Sequence, residues 1–392
     1  MLAHRMLGLK DSPTLALTAK VNQLRREGVD IIGFGAGEPD FDTPQPIIDA
    51  AVKAMQDGRT RYTAATGIPE LKDAIGKKLR EDNGLEYSRS EIVASVGAKH
   101  AIYNALSALA SVGREVLFTI PYWVSYPPMC RLMGATPVTV PVKEENDFVL
   151  TVRDLERAAT PRTKVLILNT PNNPTGAVYS RKNLEDIAEF CVDNEIFIIS
   201  DEIYEKLCYD GEHVSIASLD ESVRDITVTV NGFSKAYCMT GWRVGYSAAP
   251  EYITQAIAKA QAHSTSCITA FVQHAAIAAL ELNPDILDGM RSAFIERRNM
   301  TIQRLNDIPG IHCRKPKGAF YAFANVKELL GRTFGGKRID TSIELAEYLL
   351  SEAKVAVVPG EAFGEEGFIR LSYCNSPMEL ERGIKRIRDA LA

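Results

Sequence analysis

The chain lacks any C-x-x-C pair. Its seven cysteines are an odd number and scattered, which argues against a disulfide framework and against a cysteine-built zinc site. The six histidines show no H-x-x-x-H spacing, so the sequence offers no helical pair of histidine ligands, and no metal is expected. No run approaches the ~20 apolar residues of a spanning helix. The opening MLAHRMLGLKDSP holds no apolar stretch long enough for a secretory signal. Basic residues form no block and the net charge is −5, so nucleic acid finds no electrostatic footprint. Internal repeats and low-complexity linkers are missing too. These exclusions lead to the expectation of a cytoplasmic protein that handles small molecules, with neither membrane nor nucleic acid as a partner.

What the chain has is regularity. Hydrophobic residues make up 46% and charged residues 24%, an ordinary globular composition. A length of 392 residues exceeds what one core usually organises and points to two domains. After an arm and a helix with Leu17, Val21 and Leu24 on one face, residues 31–44 read as a short strand entering a Gly/Pro/Asp-rich loop. Gly33, Gly35 and Gly37 do not make a dinucleotide loop, because Glu38 stands where the third glycine belongs and Pro39 follows in place of a helix. A loop whose backbone approaches a ligand closely, or a plain tight turn, are the readings left. Helices follow over residues 46–55 and from Pro69, a residue suited to the first helical turn.

From there strands and helices alternate. Residues 91–95, 115–120, 164–168, 196–200 and the run from Thr227 read as strands. Ile102, Ala105, Leu106 and Leu109 recur at helical spacing, as do Leu184, Ile187, Ala188, Cys191 and Val192. Apolar strands between amphipathic helices predict an α/β fold with a mainly parallel sheet covered on both faces. Beyond it, the pattern predicts a long helix over 251–282, a helix over 286–305 and a strand within 318–324. A helix over 341–351, short strands at 354–358 and 367–373 and a terminal helix complete a second α+β unit, which the N-terminal arm is expected to join.

In a parallel sheet, ligands bind beyond the carboxyl ends of the strands. At those ends stand Gly97-Ala98-Lys99, Trp123, Asn173, Asp201 with Tyr204, and Lys235 with Ser234 before it and Arg243 after it. A lysine just past a buried strand loses hydration, and its neutral amine attacks a carbonyl. The product needs an electron sink, which a carboxylate provides by keeping a pyridine nitrogen protonated. Asp201 is the natural acid, with a helix N-cap as the plain alternative. Tyr204 and Asn173 suit a phenolate oxygen, and Trp123 suits either ring stacking or the core. Arg243, Ser234 and the amides at Gly97, Ala98 and Lys99 suit a phosphate.

Seven motifs run in one order along nearly the whole chain: AGEPDFDTP (36–44), YTAATGIPELK (62–72), PYWVSYP (121–127), NNPTGAVY (172–179), SDEIYE (200–205), NGFSKAYCMTGWRVGY (231–246) and FIRLSY (368–373). In these the sequence resembles the fold-type I pyridoxal-phosphate enzymes, specifically class I aminotransferases of the bacterial aspartate aminotransferase group. The resemblance implies pyridoxal 5′-phosphate as cofactor. Lys235 matches the Schiff-base lysine, Asp201 the partner of the ring nitrogen, Tyr204 and Asn173 the contacts of the ring oxygen, Trp123 the stacking aromatic and Arg243 the phosphate-binding arginine. Arg370 matches the arginine that grips the substrate α-carboxylate, and Gly37 the glycine of the loop that closes over the substrate. Tyr62 matches the tyrosine that reaches the neighbouring subunit's phosphate, which implies a homodimer with shared active sites. Gly232 stands where some relatives place a phosphate-binding serine, which leaves the role of Ser234 open. The implied domains are an arm with part of the small domain (1–45), a large cofactor domain (46–284) and a small C-terminal domain (285–392).

Arg370 accounts for one carboxylate, and a dicarboxylic substrate needs a second cation. Lys99 is the candidate, since it occupies the position of a distal-carboxylate lysine in the resembled group; a lysine that merely caps the phosphate turn is the plain alternative. Thr14 matches a pocket hydroxyl there. Transamination of L-aspartate and L-glutamate with their keto acids is therefore expected, with prephenate as an alternative or additional acceptor. A C–S lyase on the same fold is opposed by Lys99. A non-catalytic regulator is opposed by the full set of catalytic residues.

Overall fold

The computed structural model describes residues 3–9 and 11–392; residues 1, 2 and 10 of the expected arm lie outside them. The chain enters through helices α1 (His4–Leu7) and α2 (Pro13–Arg26) and a two-residue strand, β1 (Ile32–Gly33). Helices α3 (Gln45–Gln56) and α4 (Pro69–Asn83) lead to β2 (Ile92–Ser95) and α5 (Ala98–Leu109). There follow β3 (Glu115–Ile120), α6 (Tyr126–Leu132), β4 (Thr136–Pro141), α7 (Val152–Ala158), β5 (Thr163–Asn169), α8 (Arg181–Asp193) and β6 (Phe197–Asp201). A short α9 (Glu221–Arg224), β7 (Thr227–Gly232) and β8 (Gly245–Ala248) complete a seven-stranded sheet in the order β2-β8-β7-β6-β5-β3-β4. The sheet is mainly parallel, as expected, with β8 antiparallel to both of its neighbours.

Alternation along each strand sorts side chains to two faces. Val116, Phe118, Val165, Ile167 and Ile199 pack with Ile102, Ala105 and Leu106 of α5. The residues between them, Leu117, Leu166, Leu168 and Ile198, pack with Leu184, Ile187, Ala188 and Cys191 of α8. Each such side chain contributes about 2 kcal/mol when fully buried, so both faces must be covered. Leu109, expected on the inner face of α5, is only half-buried because that helix ends there.

The long helix expected over 251–282 is two helices, α10 (Glu251–Ala262) and α11 (Ala270–Leu280). Between them lies HSTSCIT, in which Ser266 takes a left-handed φ of 61° and the amides of Ser264, Thr265 and Ser266 all donate to the Gln261 carbonyl at 3.1 Å. Serine and threonine compete for backbone hydrogen bonds and break such a run. The break has a use. Gln261 donates to the Ala65 carbonyl at 2.5 Å, and Gln273 donates to Thr63 at 2.9 Å while accepting from the Ile68 amide at 2.7 Å, which fixes the loop that carries Tyr62.

The remaining chain forms α12 (Pro284–Asn306), β9 (Tyr321–Asn325), a hairpin of β10 (Arg332–Phe334) and β11 (Lys337–Ile339), and α13 (Ser342–Tyr348). The strand expected at 354–358 is split into β12 (Val355–Ala356) and β13 (Val358–Pro359), which serve different sheets; β14 (Phe368–Ser372) and α14 (Pro377–Ala390) close the chain. Strand β1 pairs in parallel with β12, Ile32 beside Val355, and β14 lies between β13 and β9. The Phe34 amide donates to Ala356 and the Ser372 amide donates to Phe34, both at 2.8 Å, so the entering chain is stitched to the C-terminal strands. No helix among the described residues is long and apolar enough to cross a membrane.

Behind the end of β6, the buried Lys78 of α4 pairs with the Glu205 carboxylate, which also accepts from Asn83 at 2.8 Å. Burial alone would raise Glu205, but Lys78, His213 and these hydrogen bonds outweigh it and hold its pKa at about 2. A depressed pKa stabilises the fold above the unfolded value near 4.5, and that stabilisation is lost as pH falls toward 2. Lys78→Met is expected to cost about 3 kcal/mol at pH 7 by stranding a buried carboxylate. Urea unfolding should show this deficit shrinking as pH falls toward 2, because the stranded Glu205 of the variant takes up a proton before the parent's does.

Candidate active site

The chain leaves β7 at Gly232, turns through residues 233–244 and returns beside it as β8, with Gly232 opposite Gly245. Lys235 and Arg243, near the two ends of that turn, therefore meet at one edge of the sheet. Because β8 also runs antiparallel to β2, with Ser95 opposite Gly245, β2 ends at the same edge and hands on to Gly97 and α5. The parallel register sets Asn169 beside Asp201 and Asp201 beside Val230.

A cavity of about 610 Å³ opens there. Thr14, Gly37, Ala98, Lys99, Trp123, Asn173, Asp201, Tyr204, Ser234, Lys235, Arg243 and Arg370 all line it. Two nominated residues do not. Gly97 packs against the Arg243 guanidinium, 2.6 Å from where a Cβ would stand, and its φ of 81° is the conformation that favours glycine. Tyr62 is 93% exposed and stands outside the cavity of its own chain.

The Lys235 ammonium donates to the Gly37 carbonyl at 2.6 Å. Burial lowers its pKa to about 8, with Cys374 and Glu38 opposing the drop and Arg370 and Arg243 adding to it. Burial raises Asp201 to about 6, against a hydrogen bond of 2.7 Å donated by the Tyr126 phenol to Oδ2. Asp201 caps no helix; the Ile203 amide reaches its other oxygen only at 3.4 Å. The Tyr204 and Tyr321 hydroxyls lie 2.9 Å apart.

Arg370, mid-strand in β14, donates through Nη1 to Asn173 Oδ1 at 3.0 Å and through Nη2 to the Gly35 carbonyl at 2.7 Å. Its buried Nε has no partner among the described residues, an unspent donor on a side chain that lines the cavity. Arg243 donates to the Thr240 carbonyl at 2.8 Å. The amides of Ala98 and Lys99, at the start of α5, make no backbone hydrogen bond among the described residues, the usual state of a helix N-terminus ready for an anion. Lys99 Nζ lies 5.0 Å from the centroid of the Trp123 ring, and burial followed by the nearby Arg243 lowers its pKa. One wall thus carries the unpaired amides at the start of α5, two arginines, a carboxylate and an amine.

The family model for aminotransferases of class I and II matches residues 29–387. The chain is 49% identical to a protein of Aquifex aeolicus named "Probable aspartate/prephenate aminotransferase", over 100% of this chain and 98% of that one. Among solved structures it is similar to the aspartate aminotransferase of Rhizobium meliloti, with a TM-score of 0.96, 41% identity and coverage of 100% of this chain and 98% of that one. It is also similar to the Thermus thermophilus aspartate aminotransferase solved with maleate, with a TM-score of 0.94, 39% identity and coverage of 100% and 99%.

The chain belongs to the class I and II aminotransferases.

Within this aminotransferase the site also draws on residues that the sequence did not single out. Tyr126, three residues after Trp123 in PYWVSYP, does not line the cavity but holds Asp201 from behind its wall. Asn169, at the end of β5, donates to the Asp201 carbonyl at 2.9 Å and accepts from the Asn173 amide at 2.8 Å; its strand-end position was a usable signal. Tyr321 comes from β9, far along the chain, and no spacing rule announced it.

A lysine with a pKa of about 8 is neutral, and so nucleophilic, well below the 10.5 of an exposed one. The rate at which a small aldehyde labels Lys235 in the cofactor-free chain should therefore rise with pH and level off above about 8, as followed by peptide mass spectrometry.

Proposed function

We propose that this aminotransferase uses pyridoxal 5′-phosphate to move an amino group between L-aspartate or L-glutamate and 2-oxoglutarate or oxaloacetate, in two half-reactions of ping-pong form. The observation that carries this reading is that Lys235, Asp201 and Arg370 line one cavity with Arg243 and the start of α5. The residues fit the cofactor: a phosphate suits Arg243, Ser234 and the free amides, a ring nitrogen suits Asp201, a ring face suits Trp123, and a ring oxygen suits Tyr204 and Asn173.

When bound, the cofactor supplies an electrophilic aldehyde and a ring that accepts the electron pair left as the α-proton departs. Asp201, ionised above its pKa of about 6, holds the ring nitrogen in its protonated form. Lys235 would hold the aldehyde between turnovers and, as a free amine, would take the α-proton and return it, as general base and then acid. Arg370, which lines the cavity with its Nε unpaired, orients the α-carboxylate. Lys99 reads the distal carboxylate, a role supported by its place in the cavity that Thr14 also lines and by the maleate of the similar Thermus thermophilus structure.

Prephenate, also a dicarboxylic keto acid, is a second acceptor on this reading, supported by the name of the Aquifex aeolicus relative. The exposed Tyr62 is proposed to serve a second copy's site in a homodimer. The pairing of β1 with β12 supports grouping residues 1–45 with the C-terminal part, 285–392, apart from a cofactor domain over 46–284. Seven free cysteines suit a reducing compartment such as the cytoplasm.

Purified with cofactor, the parent enzyme should absorb in the visible, and Lys235→Ala should abolish that band together with transamination; an unchanged rate in the variant would sink the mechanism. Lys99→Ser should raise the KM for aspartate and glutamate roughly tenfold or more while changing alanine and phenylalanine by less than about threefold. Equal losses across all four would reassign Lys99 to the phosphate. Half-reactions followed with oxaloacetate, 2-oxoglutarate and prephenate in turn decide between the acceptors.

A further inference from the structure

We infer that Tyr321 is a positioning residue that couples the carboxylate grip of Arg370 to the phenol of Tyr204. The inference rests on the pyridoxal-phosphate reading above and adds to it a residue that acts through two others. Tyr321 opens β9, opposite Ser372 of β14 and two residues from Phe323, the partner of Arg370. It is 1% exposed and makes three contacts at once. Its ring lies under the Arg370 guanidinium, with Cζ 4.3 Å from the ring centroid, while Phe363 holds the guanidinium at 4.9 Å from its own. Its hydroxyl is 2.9 Å from that of Tyr204. The backbone of Gly37 rests on the same hydroxyl, so closely that an added Cβ would lie 2.5 Å from it.

Each contact has a consequence. Aromatic contact fixes the plane of the guanidinium and desolvates its faces, which leaves the edge for a carboxylate. The two phenols share their hydrogens, and each has one to give. An anionic ring oxygen beside Tyr204 only accepts, so it claims the Tyr204 hydrogen and forces Tyr321 to donate to Tyr204. A phenol that accepts one hydrogen bond donates a stronger one. Burial raises the pKa of both tyrosines, so both keep their hydrogens across the working pH range. Tyr321 thus strengthens the hold of Tyr204 on the ring oxygen through its hydroxyl and steadies Arg370 through its ring, two effects that separate chemically.

Two holoenzyme variants read them apart. Tyr321→Phe keeps the ring and its volume but removes the donor. The pH midpoint of the visible cofactor band should rise by roughly 0.5 unit, with the KM for aspartate within about twofold of the parent. Tyr321→Leu removes the ring as well, and should shift the midpoint similarly while raising the KM for aspartate and for 2-oxoglutarate roughly tenfold. A Phe variant whose midpoint does not move, or Phe and Leu variants with the same KM, would overturn the coupling. A parent enzyme with no visible band would overturn the cofactor reading instead, and this inference with it.

Discussion

The site depends on a lysine amine held at the edge of a sheet where water cannot fully reach it. With a pKa of about 8, roughly a tenth of the Lys235 amines are neutral at pH 7, against fewer than about one in a thousand at the exposed value. The same edge raises Asp201, so burial brings both groups closer to neutrality. On the proposed pyridoxal-phosphate reading, a protonated ring nitrogen would restore the charge of one and a carbonyl would engage the other. Geometry makes this meeting obligatory: β7 ends, turns and returns as β8, so Lys235 and Arg243 share an edge with the ends of β2, β5 and β6.

Around that centre the cations outnumber the acids. Lys99, Lys235, Arg243 and Arg370, joined by Arg25 of α2, line the cavity with Asp201 and Glu38, a balance that favours a phosphate together with a substrate of two carboxylates. Each of the first four is held by neutral oxygen acceptors or an aromatic face: Arg370 by Asn173 and Gly35, Arg243 by Thr240, Lys235 by Gly37, and Lys99 over Trp123. None of the four forms an ion pair among the described residues, so an incoming anion need not displace a carboxylate to bind. The arm serves the same end. Phe34 sits between Ala356 and Ser372 in the hydrogen-bond ladder, and this brings the Gly35 carbonyl to Arg370.

Much of the fold was legible because its signals are local. Continuous apolar runs such as VLIL in β5 and IIS in β6 are strands buried on both faces, and Leu184, Ile187, Ala188 and Cys191 mark one helix face. The break between α10 and α11 was not seen, since apolar residues on both sides keep a helical spacing while HSTSCIT interrupts it. Strand β8 was read as part of a motif. Four residues between the Gly-Trp-Arg turn and a proline carry no strand signal of their own, and pairing on both sides makes them one.

The candidates for chemistry were legible in the sequence alone, because a lysine past a buried strand, an acid at a strand end and glycines at a helix start each declare themselves within a few positions. Which groups stand next to one another was decided by the tertiary structure. Tyr126 against Asp201, Tyr321 between Tyr204 and Arg370, and Gly37 above Lys235 are separated by 75, 117 and 198 positions in the chain. Contacts of that reach follow from strand order and sheet twist, which no local pattern encodes.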